Sequence, residues 1–139
     1  MVLIYLLAIL TLQKRAIRII SFVNNRAASL PLFQFHRILD VTKIHVYKVA
    51  LFMIKYVKGQ CPESFSTMFV TNNEYHSYET RQHNRFHVPL FRTRYCQNTM
   101  RYKGVRIYNF ISQHVNSTYS VQTIKNHLKK YLLCYMSEA

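Results

Sequence analysis

The pattern of apolar and polar positions along the chain predicts three sustained helices. Over residues 3–22, Leu6, Leu10, Ala16 or Ile17, and Ile20 recur every three to four positions, with Lys14, Arg15 and Arg18 on another side. The first half of this stretch is apolar all round, which calls for something to cover it. Asn24, Asn25 and Arg26 end the pattern. Leu30-Pro31-Leu32-Phe33 suits a short helix with proline in its first turn, where a missing N–H does no harm. Asp40 stands as the N-cap of a helix over 41–58, with Ile44, Tyr47, Leu51, Ile54 and Val57 as its apolar stripe and Lys43, Lys48, Lys55 and Lys58 as its basic positions. The tyrosines and methionine of 44–57 read as core. Gly59 occupies the place of a C′ glycine, and Pro62 blocks continuation. Past Gly104, Val105, Tyr108, Ile111 and Val115 fit a short helix. Ser120 then caps a last helix near 121–135, which sets Val121, Ile124, Leu128, Tyr131 or Leu132, and Tyr135 against Lys125, Lys129 and Lys130.

Between these patterns the chain changes character. Residues 70–103 sustain no helical period, and their apolar positions are spaced singly. They read as an extended basic connection with at most short strands near Phe86–Phe91. Connections of this length inside a small domain are often functional. The expected fold is therefore mainly α: a small helical assembly with a long basic irregular connection. By sequence character it divides into an N-terminal helical part (1–59), a basic connecting segment (60–103) and a C-terminal helical tail (104–139).

Composition sharpens this picture. The chain has 139 residues, half of them hydrophobic, with 2 Gly and 3 Pro, so a core is affordable but a turn-rich sandwich or barrel is not expected. Against 19 Lys and Arg stand only 5 acids, giving a net charge of +14. Such a body repels itself unless a polyanion or an acidic surface neutralises it, and nucleic acid is the default polyanion. The acids Asp40, Glu63, Glu74, Glu79 and Glu138 are scattered, so no carboxylate cluster for metal-assisted catalysis is legible. Cys61, Cys96 and Cys134 are odd in number and far apart, with no C-x-x-C, which fits a reducing intracellular compartment, nucleus or cytoplasm. The apolar run Met1–Leu10 is too short to span a bilayer, which needs about 20 residues, and its basic residues follow it instead of preceding it.

The strongest chemical signal lies in 76–103. Arg81, Arg85, Arg92, Arg94 and Arg101 alternate with Tyr75, Tyr78, Phe86, Phe91, Tyr95 and Tyr102. Guanidinium forks grip phosphate oxygens in pairs, and aromatic faces stack on unpaired bases. Lys125 and Lys129 are secondary candidates on the last helix. His83-x-x-x-His87 would suit zinc on a helix, but no helical period supports it, so no metal or cofactor is expected. Neither Cys96 nor Ser77 has a base spaced to activate it, so no catalytic residue and no small-molecule substrate is expected.

Several blocks, in order, resemble one family. Leu12-Gln13-Lys14-Arg15-Ala16-Ile17-Arg18-Ile19-Ile20 is similar to the helix that follows the catalytic core in reverse transcriptases of non-LTR (LINE-type, jockey-like) retrotransposons. Pro31-Leu32-Phe33, Ile38-Leu39-Asp40-Val41, Phe52-Met53-Ile54-Lys55-Tyr56 and Pro62-Glu63-Ser64-Phe65 resemble the blocks that come next. His76-Ser77-Tyr78-Glu79-Thr80-Arg81 resembles an HxYxTR block, Val88-Pro89 with Arg92-Thr93-Arg94 its P…RT stretch, Gly104-Val105-Arg106-Ile107-Tyr108-Asn109 its GxxxWN block, and Ile124-Lys125-Asn126-His127-Leu128-Lys129 its FKxxLK block. Tyr108 departs from the usual Trp, and Ser112 stands where a proline is common.

The resemblance implies the thumb and C-terminal tail of a larger RNA-directed DNA polymerase, without its A-D-D metal-binding carboxylates. Such a fragment would hold template and primer by their backbones and would dock on the missing upstream polymerase core, but would not polymerise alone. RNA or DNA is then the expected partner and a membrane is not. Two alternatives stand beside it: a small basic membrane-associated protein anchored by residues 1–12, and an inert decayed fragment.

Overall fold

The computed structural model describes residues 2–78, 81–114 and 119–134. Val115, Tyr135, the acids Glu79 and Glu138, and Thr80 of the HxYxTR block lie outside them. The described residues are mainly helical: α1 (Val2–Ile20), α2 (Ser29–Phe35), α3 (Val41–Val57), a 3₁₀ turn (Glu63–Phe65), α4 (Asn72–Tyr75), α5 (Arg94–Gln97), a π-helical turn (Met100–Gly104), α6 (Val105–Ile111) and α7 (Val121–Cys134). No strand forms among them, only a single antiparallel bridge between Thr71 and Phe86. By packing the chain falls into two units, Met1–Tyr47 with Lys125–Ala139, and Lys48–Ile124.

In the first unit α1 packs on α2. Ile17, Phe33, Leu39, Leu128 and Leu132 are buried there. The polar residues of α1 tie down the chain that follows it. The Gln13 side chain donates to Leu39 O at 3.0 Å and accepts from Val41 N at 2.9 Å, so one amide closes both backbone groups at the entry to α3. Arg18 Nε donates to Ala27 O at 2.8 Å, and Ser21 Oγ pairs with His36 Nε2 at 2.9 Å. The expected α1 stripe is only partly buried: Ile17 is inside, Leu6 and Leu10 are half-buried, and Ala16 and Ile20 are exposed. The cover that the apolar first half calls for is not supplied by the described residues. Tyr5, Leu7, Ile9 and Leu12 stay open to solvent.

In the second unit Met53, Phe69, Phe86 and Val105 form the core, flanked by Phe52, Tyr56, Met68, Val88, Met100 and Tyr108. Six rings meet edge-on or tilted around it, such as Tyr56 on Phe69 at 4.8 Å and Phe86 on Tyr108 at 5.4 Å. Gly104 is buried, and a Cβ there would lie a tight 3.3 Å from the sulfurs of both Met53 and Met100. The middle of α3 buries a wide arc, Val49, Ala50, Leu51, Met53 and Ile54, instead of the narrow expected stripe; Ile44 and Val57 at its ends are exposed.

The capping signals act as expected. Asp40 Oδ1 accepts from Lys43 N at 2.9 Å and from the Thr42 hydroxyl, and Ser120 Oγ accepts from Thr123 N at 3.2 Å. Gly59, at φ +65, closes α3 with Gly59 N on Tyr56 O and Gln60 N on Lys55 O, the paired bonds of a Schellman end. The same bond pair recurs after α1 and α2, with Phe22 (φ 54) and Arg37 (φ 53) in the left-handed position that glycine prefers.

Candidate nucleic-acid interface

The basic connection is irregular for most of its length but is not loose. Asn72 N donates to Arg85 O and His87 N to Val70 O, both at 2.8 Å, which clamps 70–72 against 85–87. The Asn109 side chain finishes the clamp. Its Nδ2 donates to Phe86 O at 2.9 Å and its Oδ1 accepts from Phe86 N at 3.3 Å, so one amide stands in for a neighbouring strand. No strand runs through Phe86–Phe91; the bridge at Phe86 is all that forms.

Downstream, Thr93 caps α5, with its Oγ1 accepting from Cys96 N at 3.4 Å and its carbonyl from Gln97 N at 3.1 Å. Gln97 Nε2 donates to Phe91 O at 2.9 Å, and the ring of Phe91 faces that of Tyr102 at 6.2 Å. The α5 turn packs on the π-helical turn, which runs straight into α6. Three of the expected arginines are brought onto this compact knot: Arg92, Arg94 and Arg101, all exposed. Arg106 joins them, lying 5.6 Å over the Tyr102 ring, and Lys103 follows Tyr102 in the π-helical turn. Arg81, exposed, and Arg85, half-buried, sit on the preceding turn. Lys125 and Lys129 belong to the first unit, Lys125 half-buried and Lys129 exposed.

The aromatic partners divide. Tyr78 and Tyr95 are exposed rings on which bases can stack, and Tyr75 is exposed with one face already covered by His87. Phe86 is in the core and cannot serve, a correction to its expected place among the stacking residues; Phe91 and Tyr102 are half-buried. His87 stacks on Tyr75, rings 3.6 Å apart and 12° from parallel, and His76 lies edge-on to it at 5.9 Å. Burial holds the His87 imidazole below its ordinary pKa, and the His76 charge adds to that. Among the described residues no three His, Cys, Asp or Glu side chains are placed to share a metal ion.

The described acids all lie at the starts of helical segments. Asp40 caps α3, and Glu63 lies in the first turn of the 3₁₀ segment. Glu74 Oε2 accepts from Thr71 N at 2.8 Å in a reciprocal capping box, which holds its carboxyl below the usual range. Each is placed at the start of a helical turn, where a carboxylate is drawn to backbone N–H groups. Lys103 and Arg106 are not among the candidates that the sequence offers, because the π-helical turn and the start of α6 that bring them beside Tyr102 are too short to display a period.

Compared with family models, curated proteins and solved structures, the chain finds no match in any of the three.

Proposed function

We propose that the chain binds the backbone of RNA or DNA through the surface formed by Arg92, Arg94, Arg101, Lys103 and Arg106, with Arg81 and Arg85 beside it. On this reading it is a non-catalytic piece of the kind of reverse transcriptase its sequence blocks resemble. The observation that carries the reading is the use of the acids. With Asp40 and Glu74 engaged by helix N-termini, the exposed guanidinium groups of 81–106 have a net field that a row of phosphates would neutralise. The open apolar face of α1 supports the other half of the reading, since a helix that leaves Tyr5, Leu7, Ile9 and Leu12 in water is one that awaits a larger body.

The test is a titration of a labelled hairpin RNA at several salt concentrations. Log affinity should fall linearly with log salt, and Arg92→Ala with Arg94→Ala should reduce the slope by roughly 0.7–0.9 per lost contact while weakening all sequences alike. A slope near zero, or a double variant that binds as the parent does, removes nucleic acid from this surface.

The α1 face also favours a second reading, in which residues 1–12 lie on a membrane surface. No helix of the described residues is long and apolar enough to cross one. Flotation with uncharged vesicles separates this reading from simple charge attraction: co-flotation abolished by Leu12→Lys would favour it.

A further inference from the structure

A second cationic feature lies in the first unit. Asn126, Lys129, Lys130, Leu133 and Cys134 follow one another at helical spacing along a single face of α7. The Gln34 side chain of α2 donates to Leu133 O at 3.2 Å and holds the end of α2 at that face. Arg37 completes a cleft of about 790 Å³ lined by these residues. That size is typical of small-ligand sites, which run from about 300 to about 1,000 Å³. Among the described residues, three cations line it and no acid does.

Local structure accounts for the backbone here but not for the side chains. The last carbonyls of α2 are already closed by His36 N on Leu32 O at 3.0 Å, Arg37 N on Gln34 O at 3.1 Å and Ile38 N on Phe33 O at 2.9 Å. The Arg37 side chain is not needed to satisfy that helix end. Its own backbone, at φ 53, is in the left-handed region that costs a non-glycine residue stability. Glycine would make the same turn without that cost, as Gly59 does after α3. What arginine adds is a forked double donor in the wall of the cleft, opposite two ammonium groups whose mutual repulsion an anion would relieve.

We infer that this cleft binds a compact oligophosphate: two or three linked phosphate groups, gripped by Arg37 in a fork and by Lys129 and Lys130 as point charges. One orthophosphate would leave most of the volume empty. The same chemistry is offered by the triphosphate of a free nucleotide and by neighbouring phosphodiesters of a strand. The inference does not depend on the 81–106 surface.

Calorimetric titration of the full chain with ATP, inorganic phosphate and a short single-stranded RNA tests it. Two variants remove charge without disturbing the fold. Arg37→Gly suits the left-handed backbone, and Lys130→Gln changes an exposed helix position; melting temperature checks both. ATP should bind saturably and inorganic phosphate far more weakly. Each variant should weaken ATP binding about tenfold, the equivalent of one charge-assisted hydrogen bond. Lys48→Gln, with the same loss of charge elsewhere, should bind as the parent does. If the two cleft variants weaken RNA but ATP does not bind, the occupant is a strand and the compact oligophosphate is overturned. If neither variant changes either titration, or Lys48→Gln weakens binding as much, the cleft is not a phosphate site.

Discussion

The two units meet the same compositional problem, few glycines and few acids, in opposite ways. The first is built largely from long helices whose polar side chains reach out to the following segment, Gln13 and Arg18 to its backbone and Ser21, just past α1, to the His36 ring. It leaves much apolar surface open, to the point that Phe22 is 97% exposed. The second is built from turns of three to seven residues after α3, and its order comes from an aromatic core to which each turn delivers one or two side chains. Both units leave apolar side chains in water, Leu90 of the second as fully as Phe22 of the first. The difference lies in what holds the elements: long helices carry many intrahelical bonds, whereas nucleating each short turn is unfavourable and only tertiary contacts offset that.

This difference predicts where unfolding begins. Met53 in the second unit and Leu128 in the first are both fully buried, and truncation of either to Ala should cost about 2–5 kcal/mol. The patterns of hydrogen exchange should differ. Met53→Ala should strip protection from the amides of Asn72 and His87, whose bonds depend on the aromatic core, and leave the middle of α1 protected. Leu128→Ala should do the reverse. Identical exchange patterns in the two variants would mean that the chain unfolds as one cooperative body.

A smaller effect compares the helix ends. α1, α2 and α3 close with the same pair of bonds, but only α3 has glycine in the left-handed position. Gly59→Ala should destabilise by about 1 kcal/mol, and Phe22→Gly should stabilise by about the same amount. Nothing lies within contact distance of a Cβ at Gly59, so the backbone alone sets the cost there. Thermal denaturation of both variants measures the pair. A destabilised Phe22→Gly would reveal a contact of the Phe22 ring that outweighs the relieved strain.

The two units were also unequally legible. α1, α3 and α7 are long enough for the 3.6-residue period to show, and Asp40, Gly59 and Ser120 mark their ends through local bonds that need no distant partner. The burial of those helices was harder to read. Ile44, Val57 and Ile20 fit the period yet face solvent, because a period gives a face and not its cover. α4, α5 and the π-helical turn are too short to display any period. The place of Phe86 depends on Asn109, 23 residues away. The basic segment was visible as composition, but the grouping of Arg92, Arg94 and Arg101 with Arg106 comes from that packing. The Arg37 cleft joins residues from α7 and the end of α2, and no local pattern announces it.

The smallest expected effect is an acid sensitivity at His87 in the second unit. The imidazole of His87 is held below its ordinary pKa of 6.5, first by burial and second by the charge of His76. The folded chain therefore binds this proton less readily than the unfolded chain. As pH falls below 6.5 the unfolded chain gains the proton first, so stability declines from there down to the lowered folded value and is flat above. His87 is only partly shielded, and the loss should be slight beside that of a core truncation. NMR titration of the His87 ring reads the effect directly. His76→Asn removes the smaller cause and should raise the midpoint only part of the way. Tyr75→Ala uncovers the stacked face and, because burial is the larger cause, should raise it further. If His76→Asn alone restores the ordinary value, repulsion between the two imidazoles governs the site, and the stack of Tyr75 on His87 shields it less than its 3.6 Å separation implies.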